Sequence, residues 1–168
     1  MRSLLLAAGL ALAIAVPAQA QTSFSPLVGY DLELSGLSVG LAFEVGAPLE
    51  NLPLTPSIRP LIEYVFADDF GAGFAGVDVD TQFIRAQADL IGRFELGPDS
   101  NFSPYVKAGA GIEFARTSVE IGGVSDSNSN TELAINIGGG AEFTQFFVEG
   151  GLGLSGVEGL RIRAGYRF

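Results

Sequence analysis

The feature that most narrows the fold of this chain is an alternation of side-chain character with a period of two. It is clearest where Leu37, Val39, Leu41, Phe43 and Val45 alternate with Ser38, Gly40, Ala42, Glu44 and Gly46. A helix would scatter these residues around its axis, whereas an extended strand sorts them onto opposite faces. The pattern returns where Ile84, Ala86, Ala88, Leu90, Gly92 and Phe94 are set against Phe83, Arg85, Gln87, Asp89, Ile91 and Arg93. It returns again where Val106, Ala108, Ala110, Ile112 and Phe114 are set against Lys107, Gly109, Gly111 and Glu113. Followed along the chain, it predicts eight strands, near 24–34, 36–46, 57–66, 81–96, 104–117, 131–143, 145–154 and 159–168. Turn chemistry fills the gaps: three prolines between Gly46 and Pro56, GPDSNFS from Gly97 to Ser103, and IGGVSDSNSN from Ile121 to Asn130.

Residues 1–20 stand outside this pattern. Arg2 leads into the apolar run LLLAAGLALAIAV and then the small-residue site Ala18, Gln19 and Ala20, the order of a secretory leader cleaved after Ala20. The run is shorter than the roughly 20 residues a helical span needs, so a retained anchor helix is the weaker reading. Residues 21–168 are expected to form one domain.

Alternation alone does not say which face looks inward. A soluble ligand-binding barrel would hide the apolar face, and a membrane barrel would turn it outward. A soluble exterior usually draws on lysine, but the chain has one lysine, Lys107, and its polar face is crowded with glycine and alanine. Small residues suit the narrow inside of an eight-stranded barrel. The expected fold is therefore all-β: a closed antiparallel up-and-down transmembrane β-barrel of about eight strands. Threaded from the end that holds both termini, Phe24, Phe94, Phe102, Tyr105, Phe143, Phe146, Tyr166 and Phe168 collect at one rim. Tyr64, Phe66, Phe83 and Phe114 fall toward the other, as aromatic girdles at two lipid interfaces require.

The charges are segregated as well. The chain has nine basic and nineteen acidic residues, which disfavours binding nucleic acid through a basic surface. On the inferred inner face lie Arg59, Arg85, Arg93, Lys107, Arg161, Arg163 and Arg167, with Glu44, Glu63, Asp89, Glu113, Glu142 and Glu149. Beyond the leader, only Arg116 among the basic residues lies elsewhere. An isolated ion in a lumen shut off from water carries a penalty of several kcal/mol, so these groups are expected to pair. Arg163 is placed at the centre, flanked by Asp31 and Glu149 on the neighbouring strands. A solute pathway is the competing reading of the same charges.

Little else carries chemistry. There is no histidine, the commonest general base, and no cysteine, so neither a disulfide nor a thiolate metal site is possible. Ser125, Ser127 and Ser129 sit in a polar segment without an evident base. The glycine runs Gly109–Gly111 and Gly138–Gly140 lie inside strand patterns and lack the lysine of a phosphate loop. Asp68, Asp69, Asp78 and Asp80 offer hard oxygen ligands for a divalent cation that could bridge to anionic lipid. Their spacing is not that of an EF-hand, and a solvated acidic loop is the better reading. No catalytic residue, cofactor or metal is expected.

Two segments carry a family likeness. LRIRAGYRF at the C-terminus alternates Leu160, Ile162, Ala164, Tyr166 and Phe168 with Arg161, Arg163, Gly165 and Arg167, and PYVKAGAGIEF spans Pro104 to Phe114. The chain resembles the small eight-stranded bacterial outer-membrane β-barrels that include the OmpA transmembrane domain and OmpX. The resemblance implies a place in the bacterial outer membrane, contact with its lipids, and an assembly signal in Tyr166 and Phe168 read by the barrel assembly machinery. Known outer-membrane acyltransferases, deacylases, phospholipases and omptin-type proteases rely on a histidine that this chain lacks, so the resemblance implies no enzyme. The expected role is structural or surface-interacting, with outer-loop contacts from Asp68 to Asp80 and from Glu120 to Asn130. A narrow channel or small-molecule carrier is the alternative, and a soluble lipocalin-like binder is a third.

Overall fold

The computed structural model describes residues 21–46, 54–66, 77–94, 96–97, 100–121 and 124–168. The expected leader lies outside them, as do Asp68 and Asp69. Eight antiparallel strands follow one another in chain order and close: β1 Gln21–Asp31, β2 Gly36–Gly46, β3 Leu54–Phe66, β4 Val77–Phe94, β5 Phe102–Ile121, β6 Val124–Phe143, β7 Phe146–Ser155 and β8 Gly159–Tyr166. Closure is made by the β1–β8 ladder from Leu27↔Gly165 to Asp31↔Arg161. Beyond it, Phe168 N–H donates to Phe24 C=O at 2.9 Å and Phe24 N–H donates back to Phe168 C=O at 3.4 Å. A closed ladder leaves no sheet edge around the wall, which a strand structure needs where no water is present.

Each strand turns its apolar residues outward. Leu37, Val39, Leu41 and Phe43 on β2 are exposed, while Ser38, Ala42 and Glu44 between them are buried. The same holds on β8, where Leu160 and Ile162 are exposed and Arg161 and Arg163 are 4 % exposed. A wall of exposed large hydrophobic residues around a polar, buried interior is the inverse of a soluble barrel and fits a bilayer. The only sizeable cluster of buried apolar side chains among the described residues is Leu27, Ala42, Leu61 and Phe147, which fills one side of the lumen.

Strand lengths are uneven, and here the structure departs from the expected boundaries. β1 ends at Asp31, and Leu32–Ser35 form the turn into β2, with Ser35 at φ 47°. β4 begins at Val77, so Asp78 and Asp80 belong to a strand rather than to a loop. The segment from Ile121 to Asn130, expected as a loop, is almost wholly strand: the β5–β6 ladder runs unbroken from Phe102↔Phe143 to Ile121↔Val124. From Asp126 to Asn130 every residue of this stretch is exposed, so no buried face imposes an apolar alternation there. The backbone ladder to β5 holds it extended where local propensity would not.

Candidate functional site

The lumen is the region where polar side chains converge. Among the described residues, inward positions on all eight strands bring together seven basic residues, Arg59, Arg85, Arg93, Lys107, Arg161, Arg163 and Arg167, and seven acidic ones, Asp31, Glu44, Glu63, Asp89, Glu113, Glu142 and Glu149. The formal charges of these fourteen cancel. All fourteen stand at positions assigned from the sequence, and Arg167 is the most exposed of them.

The ion pairs lie in tiers along the barrel axis. At the end that holds Gln21 and Phe168, Arg93 clamps Glu44 with both terminal nitrogens and touches Ser57 Oγ at 2.9 Å and Glu142 at 3.3 Å, while Arg167 also pairs with Glu142. In the middle, Glu149 accepts from Arg59 at 2.5 Å, Lys107 at 2.6 Å, the Tyr105 hydroxyl at 2.8 Å and Arg163 at 3.3 Å. Asp89 shares Arg59 and Lys107 at 3.3 and 3.2 Å. Above it, Glu63 is held by Arg163, by Arg85 at 2.7 Å and by the Ser38 hydroxyl at 2.7 Å. The last tier joins Asp31 to Arg161 at 3.0 Å and to Arg85 at 3.1 Å, and Glu113 to Arg85, to Arg161 at 2.8 Å and to the Val157 N–H at 2.6 Å.

Buried carboxylates stay charged at tolerable cost when several charge-assisted hydrogen bonds replace their water. Each of the four deepest ones, Glu63, Glu149, Asp31 and Asp89, has at least two cationic partners.

One expected pairing is corrected. Asp31 stands opposite Arg161, and Arg163 stands opposite Gly29, because the β1–β8 register is one pair offset from the depth inferred from sequence. Arg163 therefore meets Glu63 from across the barrel instead of Asp31. Two aromatic assignments also change. Tyr105 is 3 % exposed inside the lumen, its ring beneath the Arg93 guanidinium at 5.6 Å, and Phe83 lines a pocket at the lumen mouth. Both occupy the inward parity of their strands, the same as Lys107 and Arg85, and that parity is the signal in the sequence that places them. Sequence reasoning also misses Phe147, which lies under Arg59 with the guanidinium carbon 5.4 Å from its ring centre.

Glycine makes room for these large groups. A Cβ on Gly109 would collide with Asp89 Oδ1, and one on Gly165 would run into the Phe147 ring. Glycine at these places is a packing requirement and not a phosphate-binding device. Among the described residues, no group of three or more carboxylates has the geometry to hold a metal ion.

The C-terminal aromatics sit at the rim. The Tyr166 ring contacts Phe146 at 4.9 Å and Phe168 at 4.7 Å, and the Tyr166 hydroxyl bonds Gln145. Phe168 is 71 % exposed.

Comparison with known proteins follows the same lines. The profile of a family described as an outer membrane protein beta-barrel domain matches residues 6–168. No curated protein matches the chain in sequence. Among solved structures, it is similar to a major outer membrane protein from Thermus thermophilus, with a TM-score of 0.58, 15 % identity, and coverage of 88 % of this chain and 100 % of that one. It is also similar to Ail, the attachment invasion locus protein of Yersinia pestis, solved with the heparin analogue sucrose octasulfate, with a TM-score of 0.54, 14 % identity, and coverage of 89 % and 97 %. A third is the N-terminal β-barrel domain of Pseudomonas aeruginosa OprF, with a TM-score of 0.48, 18 % identity, and coverage of 89 % and 100 %.

Proposed function

Because this chain belongs to the outer membrane β-barrel domain family and resides in the bacterial outer membrane, we propose that it acts there as a non-catalytic surface protein, a barrel that anchors an exposed sheet. The observation that carries this reading is the unequal height of the wall. Among the described residues, the β3–β4 ladder ends at Phe66↔Gln82 and the β6–β7 ladder starts only at Ile135↔Ser155, yet β4, β5 and β6 stay paired out to Val77↔Ile121↔Val124. On β6 the unmatched stretch runs from Val124 to Ala134, about 35 Å of extended chain at roughly 3.4 Å per residue. A barrel built only to seal itself has no use for such an extension.

The lumen supports the non-catalytic part. Its carboxylates are engaged by cations, and the sequence has no histidine to act as a base. Tyr166 and Phe168 are read as the assembly signal for the barrel assembly machinery, and the apolar wall as the contact with outer-membrane lipids.

The reading is tested by replacing residues 117–128 with a two-residue Asn-Gly turn. The shortened protein is expected to reach the outer membrane at normal level, since every ladder of the closed barrel remains. Attachment of the cells to protein-coated surfaces is expected to fall to that of the deletion strain. Unchanged attachment together with a changed membrane permeability would favour the alternative, a narrow channel or small-molecule carrier. That alternative draws on the buried Asn136 amide and Gln87 Oε1, which have no hydrogen-bond partner among the described residues.

A further inference from the structure

The projecting sheet has a pocket at its foot. It measures about 120 Å3 and lies where the lumen opens, between Phe83 on β4, Glu113 and Ala115 on β5, Asn130 and Glu132 on β6, and Val157 in the β7–β8 turn. At about 30 Å3 per water, this is room for roughly four waters, or for the end of one long side chain. Three of these six residues are apolar, two are carboxylates and one is an amide.

The two carboxylates are not equivalent. Glu113 and Glu132 stand directly opposite each other in the β5–β6 ladder, a like-charge pairing that costs energy unless something offsets it. Glu113 is fully engaged by Arg85, Arg161 and the Val157 N–H. Glu132 is exposed, accepts one hydrogen bond from Asn130 Nδ2 at 2.6 Å, and forms no ion pair among the described residues. Arg85 and Arg161 offset the charge of Glu113, while the described residues supply no cation to Glu132.

The free side of β6 above the pocket has the same chemical bias. Leu133 C=O accepts from Ser155 Oγ at 2.9 Å and so faces the β7 side. With period two, the backbone groups of Ser127, Ser129 and Thr131 face that side as well, where β7 has ended. Two of these donors are already used, Ser127 N–H by Asp126 Oδ1 at 2.8 Å and Thr131 N–H by Asn130 Oδ1 at 3.0 Å. The edge is left rich in acceptors and poor in donors. It is ill suited to an added β-strand, which must both give and take hydrogen bonds, and well suited to groups that only donate, ammonium and guanidinium. By position, the projecting parts of β4, β5 and β6 carry Asp78, Asp80, Glu120, Asp126 and Glu132 against Arg116 alone.

We propose that the pocket receives a lysine or arginine side chain from a basic polypeptide segment that lies along the free side of the β5–β6 hairpin. Its alkyl stem rests against Phe83, Ala115 and Val157 and its cationic head meets Glu132. This names the partner chemistry for the surface role proposed above and rests on it. The acceptor-rich edge favours a polypeptide over a small polyamine, because it binds the residues on either side of the one whose side chain the pocket holds.

The test uses the full barrel in lipid nanodiscs and a fluorescent lysine-rich peptide, with its lysine-acetylated form as control. The peptide is expected to bind, to weaken with salt, and to lose binding on acetylation. Glu132→Gln and Ala115→Phe, which fills the pocket without touching charge, are each expected to lower affinity by at least about threefold. Ala115→Leu replaces the Phe variant if the latter loses the heat-modifiable gel mobility of a folded barrel. If the pocket-filled variant binds as the wild type does, general acidity is responsible and the proposal fails. Equal binding of spermidine at matched charge also overturns it, in favour of a polyamine. If the wild type ignores the peptide while the hairpin-shortened protein still abolishes attachment, the partner chemistry is wrong and the surface role stands.

Discussion

Arg163 on β8 grips Glu63 on β3, two strands that share no ladder: its Nε and Nη2 lie 3.0 and 2.8 Å from the two carboxylate oxygens. The same guanidinium touches Glu149 on the adjacent β7 at 3.3 Å. One side chain thus ties opposite walls of the barrel together and orders the middle two tiers of charge.

Arg163→Ala is expected to destabilise the barrel by about 3 to 5 kcal/mol, less whatever water entering the lumen gives back, because two buried carboxylates lose a cation. Adding Glu63→Gln should recover a larger share than adding Glu149→Gln, since Glu149 keeps Arg59 and Lys107. Urea unfolding followed by gel mobility measures the wild type, the single variants and both double variants. Additive effects of Arg163 and Glu63 would show that the two do not act as a pair.

The outward face of β2 gives a second expectation. Leu41 is 43 % exposed at mid-strand, opposite Pro26 and Ile62. Leu41→Arg should cost about 2 to 4 kcal/mol if this position meets the bilayer centre. A spin label at position 41 should respond to lipid-soluble oxygen and not to a water-soluble nickel complex. The reverse response would turn the barrel inside out.

Inside, the Phe147 ring occupies the space a side chain on Gly165 would need. Gly165→Ala is expected to cost about 1 to 3 kcal/mol through overpacking. Phe147→Leu in the same background should restore part of it, read as a rise in unfolding midpoint over the single variant. Independent effects at the two positions would mean that the ring moves aside at no cost.

The strand count, the inside-outside choice and the membership of the lumen network were legible because a period-two pattern fixes face without any knowledge of neighbours. Arg163 and Glu149 share a tier because the tight turn before β8 fixes their register, and here sequence depth served well. Depth failed for Asp31, since the register between the first and last strands is set by closure and no turn encodes it. The partnership of Arg163 with Glu63 was out of reach for a similar reason: it crosses the lumen, and only the curvature of the whole barrel brings β3 to β8. The projecting hairpin is not legible because Ser125 to Asn130 has the composition of a loop, while its extension comes from pairing with β5.

The C-terminal strand yields a further expectation. Phe168 exchanges two backbone hydrogen bonds with Phe24 and packs its ring against Tyr166. Deleting Phe168 is expected to lower the amount assembled in the outer membrane severalfold while leaving synthesis and export unchanged, as measured by fractionation and by the periplasmic pool. Phe168→Tyr, which keeps an aromatic end, should assemble normally. Normal assembly of the deletion would remove the signal role from this residue.

The last expectation concerns passage through the lumen. Glu149, Arg59, Lys107 and Asp89 form a continuous layer at mid-height, and Leu27, Ala42, Leu61 and Phe147 fill the side they leave. An ion entering this layer must break pairs whose members have no other solvent, and a neutral solute must displace packed side chains. The wild-type protein should therefore show little steady conductance in planar bilayers. Removing Lys107 alone should not open a path, because Arg59 and Arg163 still hold Glu149. Replacing Arg59 and Lys107 together takes both ion-pair partners from Asp89 and leaves Glu149 with Arg163 alone, and water is expected to enter to hydrate them. Brief cation-selective openings should then appear in the double variant and not in either single one. Stable open channels in the wild type would show that this layer is not a plug, and the channel reading of the lumen would replace the structural one.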